Sequence, residues 1–183
     1  KLMKNLGYDW NKKIKSGGVI KIFNSKDQSR VTEMRKSGLN IMMSMKSDSK
    51  PVSFVEDCAV SLENLAEYTN GLTKIFKKYD VNGTWYAHAS VGCLHVRPVL
   101  NMKINKDVRK MRMIAEEACS LVKKFGGSFS GEHGDGIVRS EFIEKMFDKK
   151  INDIFRQTKD LFDPNRIFNP EKIIDAPKMD DRN

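Results

Sequence analysis

The sequence lacks the features that mark membrane-spanning and secreted proteins. None of its apolar runs approaches the ~20 residues that a transmembrane helix needs. The amino terminus, Lys1 to Asn5, has none of the apolar character of a signal peptide. Lys1 is also not an initiator methionine, so we expect the chain to be part of a longer one.

Cysteine is scarce and its residues lie far apart in the chain. Cys58, Cys93 and Cys119 form an odd number and include no C-x-x-C spacing. This pattern argues against a disulfide framework or a structural zinc cluster, and it favours a reducing compartment. We therefore expect a cytoplasmic location, and a peripheral association with the inner face of the membrane stays open.

Acidic residues are fewer than basic ones, 24 against 33, which gives a net charge of +9. Three interpretations fit this surplus: nucleic-acid binding, attraction of an acidic substrate, and a well-solvated surface. The basic residues are scattered and are not interleaved with aromatic ones, which makes nucleic-acid binding the weakest of the three. The scattered surplus indicates mostly a solvated surface, and we expect no nucleic-acid partner.

The apolar pattern predicts an α+β domain. Two helices with clear apolar stripes are predicted from Ser61 to Tyr79 and from Val108 to Phe125. Strand-like segments surround them, at residues 51–60, 84–89, 94–100 and 128–130. This order is typical of a ferredoxin-like antiparallel sheet with helices packed on one face. A helical C-terminal segment, from about Val138 to Phe162, completes the predicted fold.

The pattern before this domain is weaker. Val19 to Phe23 alternates as a short strand does, and Asp27 to Lys36 is typical of a short helix. We expect Gly38 to end that helix and the apolar run from Leu39 to Met45 to form a strand.

The few histidines are the most informative residues, because His88, His95 and His133 each lie near a glycine-containing connection. A hairpin at Gly92 between two strands would bring His88 and His95 together. Glu132 adds an oxygen ligand, and a zinc or manganese ion accepts such a set of two histidines and one carboxylate. On spacing alone, ordinary structural histidines are an equally good interpretation.

The segment from Gly131 to Gly136 carries the third histidine among three glycines. In extended backbone the side chains of Glu132 and His133 point in opposite directions, so one can bind a metal while the other faces a second partner. His133 suits a general base, since imidazole titrates near neutrality. The alternative is a glycine-rich turn that leads into a helix at Asp135.

Three co-linear segments resemble the C-terminal domain of the FAD-linked oxidases. This family of vanillyl-alcohol-oxidase-like flavoproteins includes glycolate oxidase, D-lactate dehydrogenase and D-2-hydroxyglutarate dehydrogenase. The segments are WYAHASVGCLH at 85–95, SGEHGDG at 130–136 and LFDPNRIFNPEK at 161–172. With shorter matches at 35–39 and 54–57, the resemblance covers residues 30–177. It leaves residues 1–29 as a partial N-terminal segment and residues 178–183 as a tail.

The resemblance implies a role for each matched site residue. His88, His95 and Glu132 fall on the metal ligands of the family. His133 falls on the base that takes the proton of the substrate hydroxyl while hydride leaves the α-carbon for flavin N5.

Three further residues fall near ligand-binding positions of the family. Asn169 falls where the chain returns to the flavin, and Arg35 and Lys50 fall near positions that grip the substrate carboxylate. For Lys50 a solvated surface role is the alternative. Cys93 departs from the family pattern, because many relatives have asparagine at this position. In this respect the chain resembles a longer bacterial subgroup of the family in which an iron–sulfur region follows the flavoprotein part.

The resemblance implies a substrate-side fragment of a flavin-dependent dehydrogenase. The complete protein would oxidise a D-2-hydroxyacid of the D-lactate, glycolate or D-2-hydroxyglutarate class to the 2-oxoacid. The sequence has no glycine-rich pyrophosphate-binding loops, so we expect FAD to be bound by an N-terminal domain of the same chain and this part alone to be inactive. The sequence leaves open whether the complete protein has an iron–sulfur region or an electron-transfer partner. The alternatives are a free-standing ferredoxin-like metal-binding module and a metal-dependent hydrolase.

Overall fold

The structure is a computed structural model that describes residues 21–181, apart from the side chain of Leu39, and it divides into two units after Ser44. The first unit contains helix α1 (Ser25–Met43). The side chain of Asn24 caps this helix by accepting a hydrogen bond from the N–H of Asp27 at 2.8 Å.

Helix α1 corrects the predictions for this part of the chain. It continues through Gly38 to Met43, so neither the predicted stop nor the strand from Leu39 is present. One glycine in a helix costs only about 1 kcal/mol relative to alanine, and the leucine and methionines that follow are good helix formers. Residues 21–23 are not in a strand, and Val19 and Ile20 lie outside the described residues.

The sheet of the second unit is built around one strand. Its strands are β1 (Lys50–Pro51), β2 (Cys58–Ala59), β3 (Gly83–His88) and β4 (Cys93–Leu100). Strand β3 pairs antiparallel with β4 along its whole length, while β1 and β2 pair with opposite ends of the other edge of β4. Strands β1 and β2 are thus two parts of one interrupted strand.

The topology confirms the predicted ferredoxin-like α+β fold. Beyond the interrupted strand, Ser128 forms an antiparallel bridge with Ala59, which is all that remains of the predicted strand at 128–130. The predicted continuous strand from Pro51 to Val60 is broken because the chain leaves the ladder between β1 and β2. Phe54 and Val55, both fully buried, anchor this excursion in the core.

Two long helices cover one face of the sheet. They are α2 (Leu65–Lys78), which follows a 3₁₀ turn, and α3 (Asn105–Lys124). A Cβ atom at Gly71 of α2 would lie 2.7 Å from a methyl group of Leu121 in α3, so the glycine allows the helices to pack closely. Their apolar stripes form one core with Leu94, Val96 and Leu100 of β4.

The C-terminal part is helical, as predicted. It contains α4 (Gly136–Arg139), a 3₁₀ turn, α5 (Ile143–Met146) and α6 (Lys149–Phe162). From residue 163 to residue 181 the chain has no helix or strand and adopts positive φ at several non-glycine residues, among them Asn169. Among the described residues, no helix is both long enough and apolar enough to cross a membrane.

Candidate functional site

The sheet face opposite the helices carries the polar side chains. Alternation along β4 directs Leu94 and Val96 into the core and His95 and Arg97 to the other face. Tyr86 of β3 lies opposite His95 in the register, and the two rings stack with centroids 4.6 Å apart.

The hairpin between β3 and β4 brings two histidines together, as predicted. The ring centroids of His88 and His95 are 5.0 Å apart. Gly92 closes the turn at a φ of +73°, and a Cβ atom there would lie 1.9 Å from the carbonyl oxygen of Val60. The turn therefore depends on glycine for its backbone conformation and for the close approach.

Glu132 completes a cluster of possible metal ligands with these histidines. Its Oε1 lies 3.9 Å from Nε2 of His88, and its Oε2 lies 3.6 Å from Nε2 of His95. One ligand atom from each residue can be chosen so that all three lie within 4.8 Å of one another. Two imidazoles and a carboxylate at this separation match the donor set of zinc and manganese sites.

The environment of His95 fits a bound cation. The side chain is 2% exposed, and neither ring nitrogen has a hydrogen-bond partner among residues 21–181. Leaving a buried polar group unsatisfied costs about 1–3 kcal/mol, which coordination to a metal would offset. Burial lowers the pKa of His95, and nearby Glu132 only partly opposes this, so the neutral, metal-binding form is favoured.

His133 lies beside this cluster and does not point away from it. Its ring stacks on His95 with centroids 5.3 Å apart, and its Nε2 lies 3.7 Å from Oε2 of Glu132. The expectation that Glu132 and His133 diverge is therefore wrong. It assumed an extended backbone, whereas the chain bends at these residues.

Glu56 orients the His133 ring. Its Oε1 lies 3.1 Å from Nδ1 of His133, and its Oε2 accepts a hydrogen bond from Nε of Arg97 at 2.7 Å. Burial raises the pKa of Glu56, but the hydrogen bond and charge of Arg97 outweigh it and leave the pKa below its ordinary value. A carboxylate can only accept, so Nδ1 of His133 carries the proton and Nε2 is left as the basic nitrogen.

A buried ion pair lies beneath the loop that carries Glu132 and His133. Asp57 is fully buried and pairs with Arg139, which is 5% exposed. Asp57 also accepts hydrogen bonds from the backbone N–H groups of Glu132 and His133. No motif or spacing in the sequence pointed to a role for Glu56, Asp57 or Arg139. The available signal was an adjacent pair of acidic residues in an otherwise apolar, strand-like segment.

Cys93 lies at the edge of the cluster, opposite His88 in the register. Burial and the nearby Glu132 carboxylate raise its pKa to about 11. Burial therefore disfavours the thiolate form of Cys93.

Comparison with known proteins identifies the family. The model of the family "FAD linked oxidases, C-terminal domain" matches residues 10–173. The chain belongs to this family.

Curated relatives of this FAD-linked oxidase domain include several dehydrogenases. The D-2-hydroxyglutarate dehydrogenase of Haemophilus influenzae is 38% identical over 144 residues, 79% of this chain and 14% of that protein. That of Escherichia coli is 33% identical over 155 residues, 82% of this chain and 15% of that protein. The D-lactate dehydrogenase of Archaeoglobus fulgidus is 31% identical over 160 residues, 86% of this chain and 34% of that protein. The chain thus spans between about a seventh and a third of these relatives.

Lys50 and Asn169, two further predicted residues of the FAD-linked oxidase domain, are not part of the cluster. Lys50 is the first residue of β1 and pairs with Leu100, at the end of β4 that is far from His95. Its Nζ donates a hydrogen bond to the carbonyl oxygen of Met45. Asn169 lies in the closing segment, where it lines a groove of about 650 Å³ with Phe162 and Phe168. Arg35 is exposed on α1, in the first unit. Their predicted roles stay predictions.

Proposed function

We propose that this chain is the substrate-side part of a flavin-dependent dehydrogenase that oxidises a D-2-hydroxyacid to the 2-oxoacid, with a divalent metal ion held by His88, His95 and Glu132. The observation that carries the metal site is His95, a buried imidazole beside a second histidine and a carboxylate, whose two ring nitrogens have no hydrogen-bond partner in the described part of the chain. Relatives named as D-2-hydroxyglutarate and D-lactate dehydrogenases support the reaction class.

The cluster and His133 divide the work of deprotonating the substrate hydroxyl. A bound divalent cation polarises an oxygen ligand and lowers its pKa. Glu56 holds His133 by Nδ1, so that Nε2, on the side of Glu132, is free to accept the hydroxyl proton. A base with a pKa near neutrality suits this transfer.

The proposed flavin site lies in another part of the longer protein. We infer that an N-terminal FAD-binding domain of the same longer protein holds FAD, which accepts the hydride, and that Asn169 meets it. Arg35 and Lys50 stay the predicted ligands of the substrate carboxylate. The net charge of +9 mostly reflects a solvated surface and does not choose among lactate, glycolate and 2-hydroxyglutarate.

The cellular setting is proposed on more general grounds. The described cysteines are unpaired and buried, which supports a reducing, cytoplasmic compartment. The length of the relatives leaves room for an iron–sulfur region or another electron-transfer partner in the complete protein.

Metal binding tests the proposal directly. Calorimetric titration of the chain with Mn²⁺ and with Zn²⁺ should show one site, and His95→Ala should weaken binding by at least about tenfold because it removes a buried ligand. Tyr86→Phe, which keeps the ring that stacks on His95, should bind like the wild type. Equal affinities of the wild type and His95→Ala would contradict the proposed site.

Dehydrogenation is tested in the complete protein. Reduction of a dye acceptor should depend on a D-2-hydroxyacid and should be lost in His95→Ala. A complete protein that binds metal at this cluster but hydrolyses esters or amides instead would favour the hydrolase alternative.

A further inference from the structure

The loop that carries Glu132 and His133 is folded around a buried carboxylate. Oδ2 of Asp57 accepts the backbone N–H of Glu132 at 2.9 Å and that of His133 at 2.8 Å, and the hydroxyl of Ser130 at 3.3 Å. Successive backbone N–H groups that converge on one point form a nest, which an anion stabilises. Asp57 is an internal anion that occupies this nest.

Arg139 holds the same loop from its other end. Its Nη1 donates to Oδ1 of Asp57, and its Nη2 donates to the carbonyl oxygen of Gly134 at 2.5 Å. A buried charge is costly unless it is paired and hydrogen-bonded, and here each partner satisfies the other. The backbone from Glu132 to Gly134 is therefore fixed at both ends by one ion pair.

This bend determines where two side chains lie. In extended backbone the side chains of Glu132 and His133 would point to opposite sides. In the folded loop Glu132 Oε2 lies within 3.7 Å of both His95 Nε2 and His133 Nε2. The cluster therefore depends on a carboxylate that is itself none of the proposed ligands.

We propose that Asp57 is a positioning residue that, with Arg139, shapes the loop so that Glu132 can bind the metal and His133 can face the substrate. The inference rests on the proposed metal site and concerns residues to which the sequence pattern assigned no role. It predicts that the affinity for metal falls when the nest loses its anion, although all three proposed ligands remain.

Asp163 provides a matched control. It is also buried, it accepts the backbone N–H groups of Ile167 and Phe168 at 2.9 Å each, and it pairs with Lys159 at 2.5 Å. Asp57→Asn and Asp163→Asn therefore remove the same kind of charge from the same kind of backbone contact, one beside the cluster and one in the closing segment.

The experiment measures Mn²⁺ affinity by calorimetry and amide hydrogen exchange in both variants. We expect Asp57→Asn to raise the Kd for Mn²⁺ by about 10- to 100-fold, as replacement of residues that orient metal ligands does, and to speed exchange at Glu132 and His133. Asp163→Asn should keep the wild-type Kd within about twofold, while both variants lower the melting temperature.

The outcomes separate this inference from the proposed function. A wild type that binds no Mn²⁺ would overturn the metal site and this inference with it. A wild type that binds Mn²⁺ with the same Kd as Asp57→Asn would overturn this inference alone. Should Asp57→Asn not fold, Arg139→Lys keeps the charge but cannot hold Asp57 and Gly134 together. It should raise the Kd about tenfold, and an unchanged Kd would reject the proposal.

Discussion

At the residue scale, the site joins one nearly buried histidine to two that are more open. His95 is 2% exposed, whereas His88 and His133 are each 41% exposed. In the proposed function the buried ring of His95 is the main metal ligand, and the accessible ring of His133, which Glu56 orients, takes the proton. The two roles can be separated by substitution.

Replacement of His133 tests proton transfer. In the complete enzyme His133→Asn should lower kcat and kcat/KM together, by about 10²- to 10⁴-fold, because it removes a base that acts in the transition state. Steady-state kinetics with each D-2-hydroxyacid measures this. The variant should still bind Mn²⁺, unlike His95→Ala. An unchanged kcat with a raised KM would place His133 among substrate-binding residues instead.

Replacement of Glu56 tests the ion pair with Arg97. Both side chains are largely buried, 14% and 9% exposed, so Glu56→Gln should lower the free energy of unfolding by about 3 kcal/mol at neutral pH. The pKa of Glu56 is lower in the folded protein than in the unfolded chain, where it is about 4.3. The stabilisation that Glu56 provides is therefore fully present above the unfolded-state pKa and is lost as the pH falls through the folded-state pKa.

Urea unfolding of the wild type and Glu56→Gln between pH 3 and pH 7 measures this difference. The gap between their unfolding free energies should narrow toward the acid end. Glu67→Gln, at an exposed position on α2, is the control and should stay close to the wild type throughout. A gap that widens on acidification would mean that Arg97 does not stabilise the Glu56 carboxylate.

At the element scale, helices and strands with a regular apolar pattern could be predicted, whereas the points at which a strand is interrupted or a helix continues could not. Helices α2 and α3 and strands β3 and β4 follow from their apolar patterns, and the hairpin explains why His88 and His95 meet. The extra length of α1 and the break between β1 and β2 did not follow. The first reflects a tolerated glycine, and the second a tertiary preference for burying Phe54 and Asp57.

The turn between β3 and β4 can be tested with a pair of glycines. Gly92 and Gly126 both have positive φ, +73° and +63°. A Cβ atom added at Gly92 would overlap the backbone of Val60, whereas one added at Gly126 would have no atom within 4 Å. Gly126→Ala should lower the free energy of unfolding by about 1 kcal/mol, because alanine is strained at positive φ. Gly92→Ala should lower the free energy of unfolding by about 1–3 kcal/mol more, because its Cβ atom also overlaps the backbone of Val60. Urea unfolding checks both, and equal losses would contradict the steric argument.

At the scale of the whole molecule, connectivity and family could be read from the sequence, whereas the support of the site could not. Strand order and motif spacing led to the ferredoxin-like fold and the FAD-linked oxidase domain. Asp57 and Arg139 are 82 positions apart, and nothing local in either segment indicates the other. Long-range pairs of this kind become visible only in the folded structure.

The chain as a whole should not bind the flavin by itself. We expect titration with FAD, followed by fluorescence quenching, to show no tight binding, because the sequence has no glycine-rich segment suited to hold a pyrophosphate. The complete protein is the positive control. Stoichiometric, tight binding by this chain alone would show that it contains more than the substrate side.

The alternation along β4 also bears on how this domain can diversify. Seven of its eight residues are buried, yet neighbours belong to different tasks, with Leu94 and Val96 in the helix-covered core and His95 and Arg97 on the reactive face. Substitutions at Thr84 and Tyr86, which share the face of His95, leave the helix-packed core untouched. A mutant library restricted to these positions could explore new substrate preferences at little risk to folding.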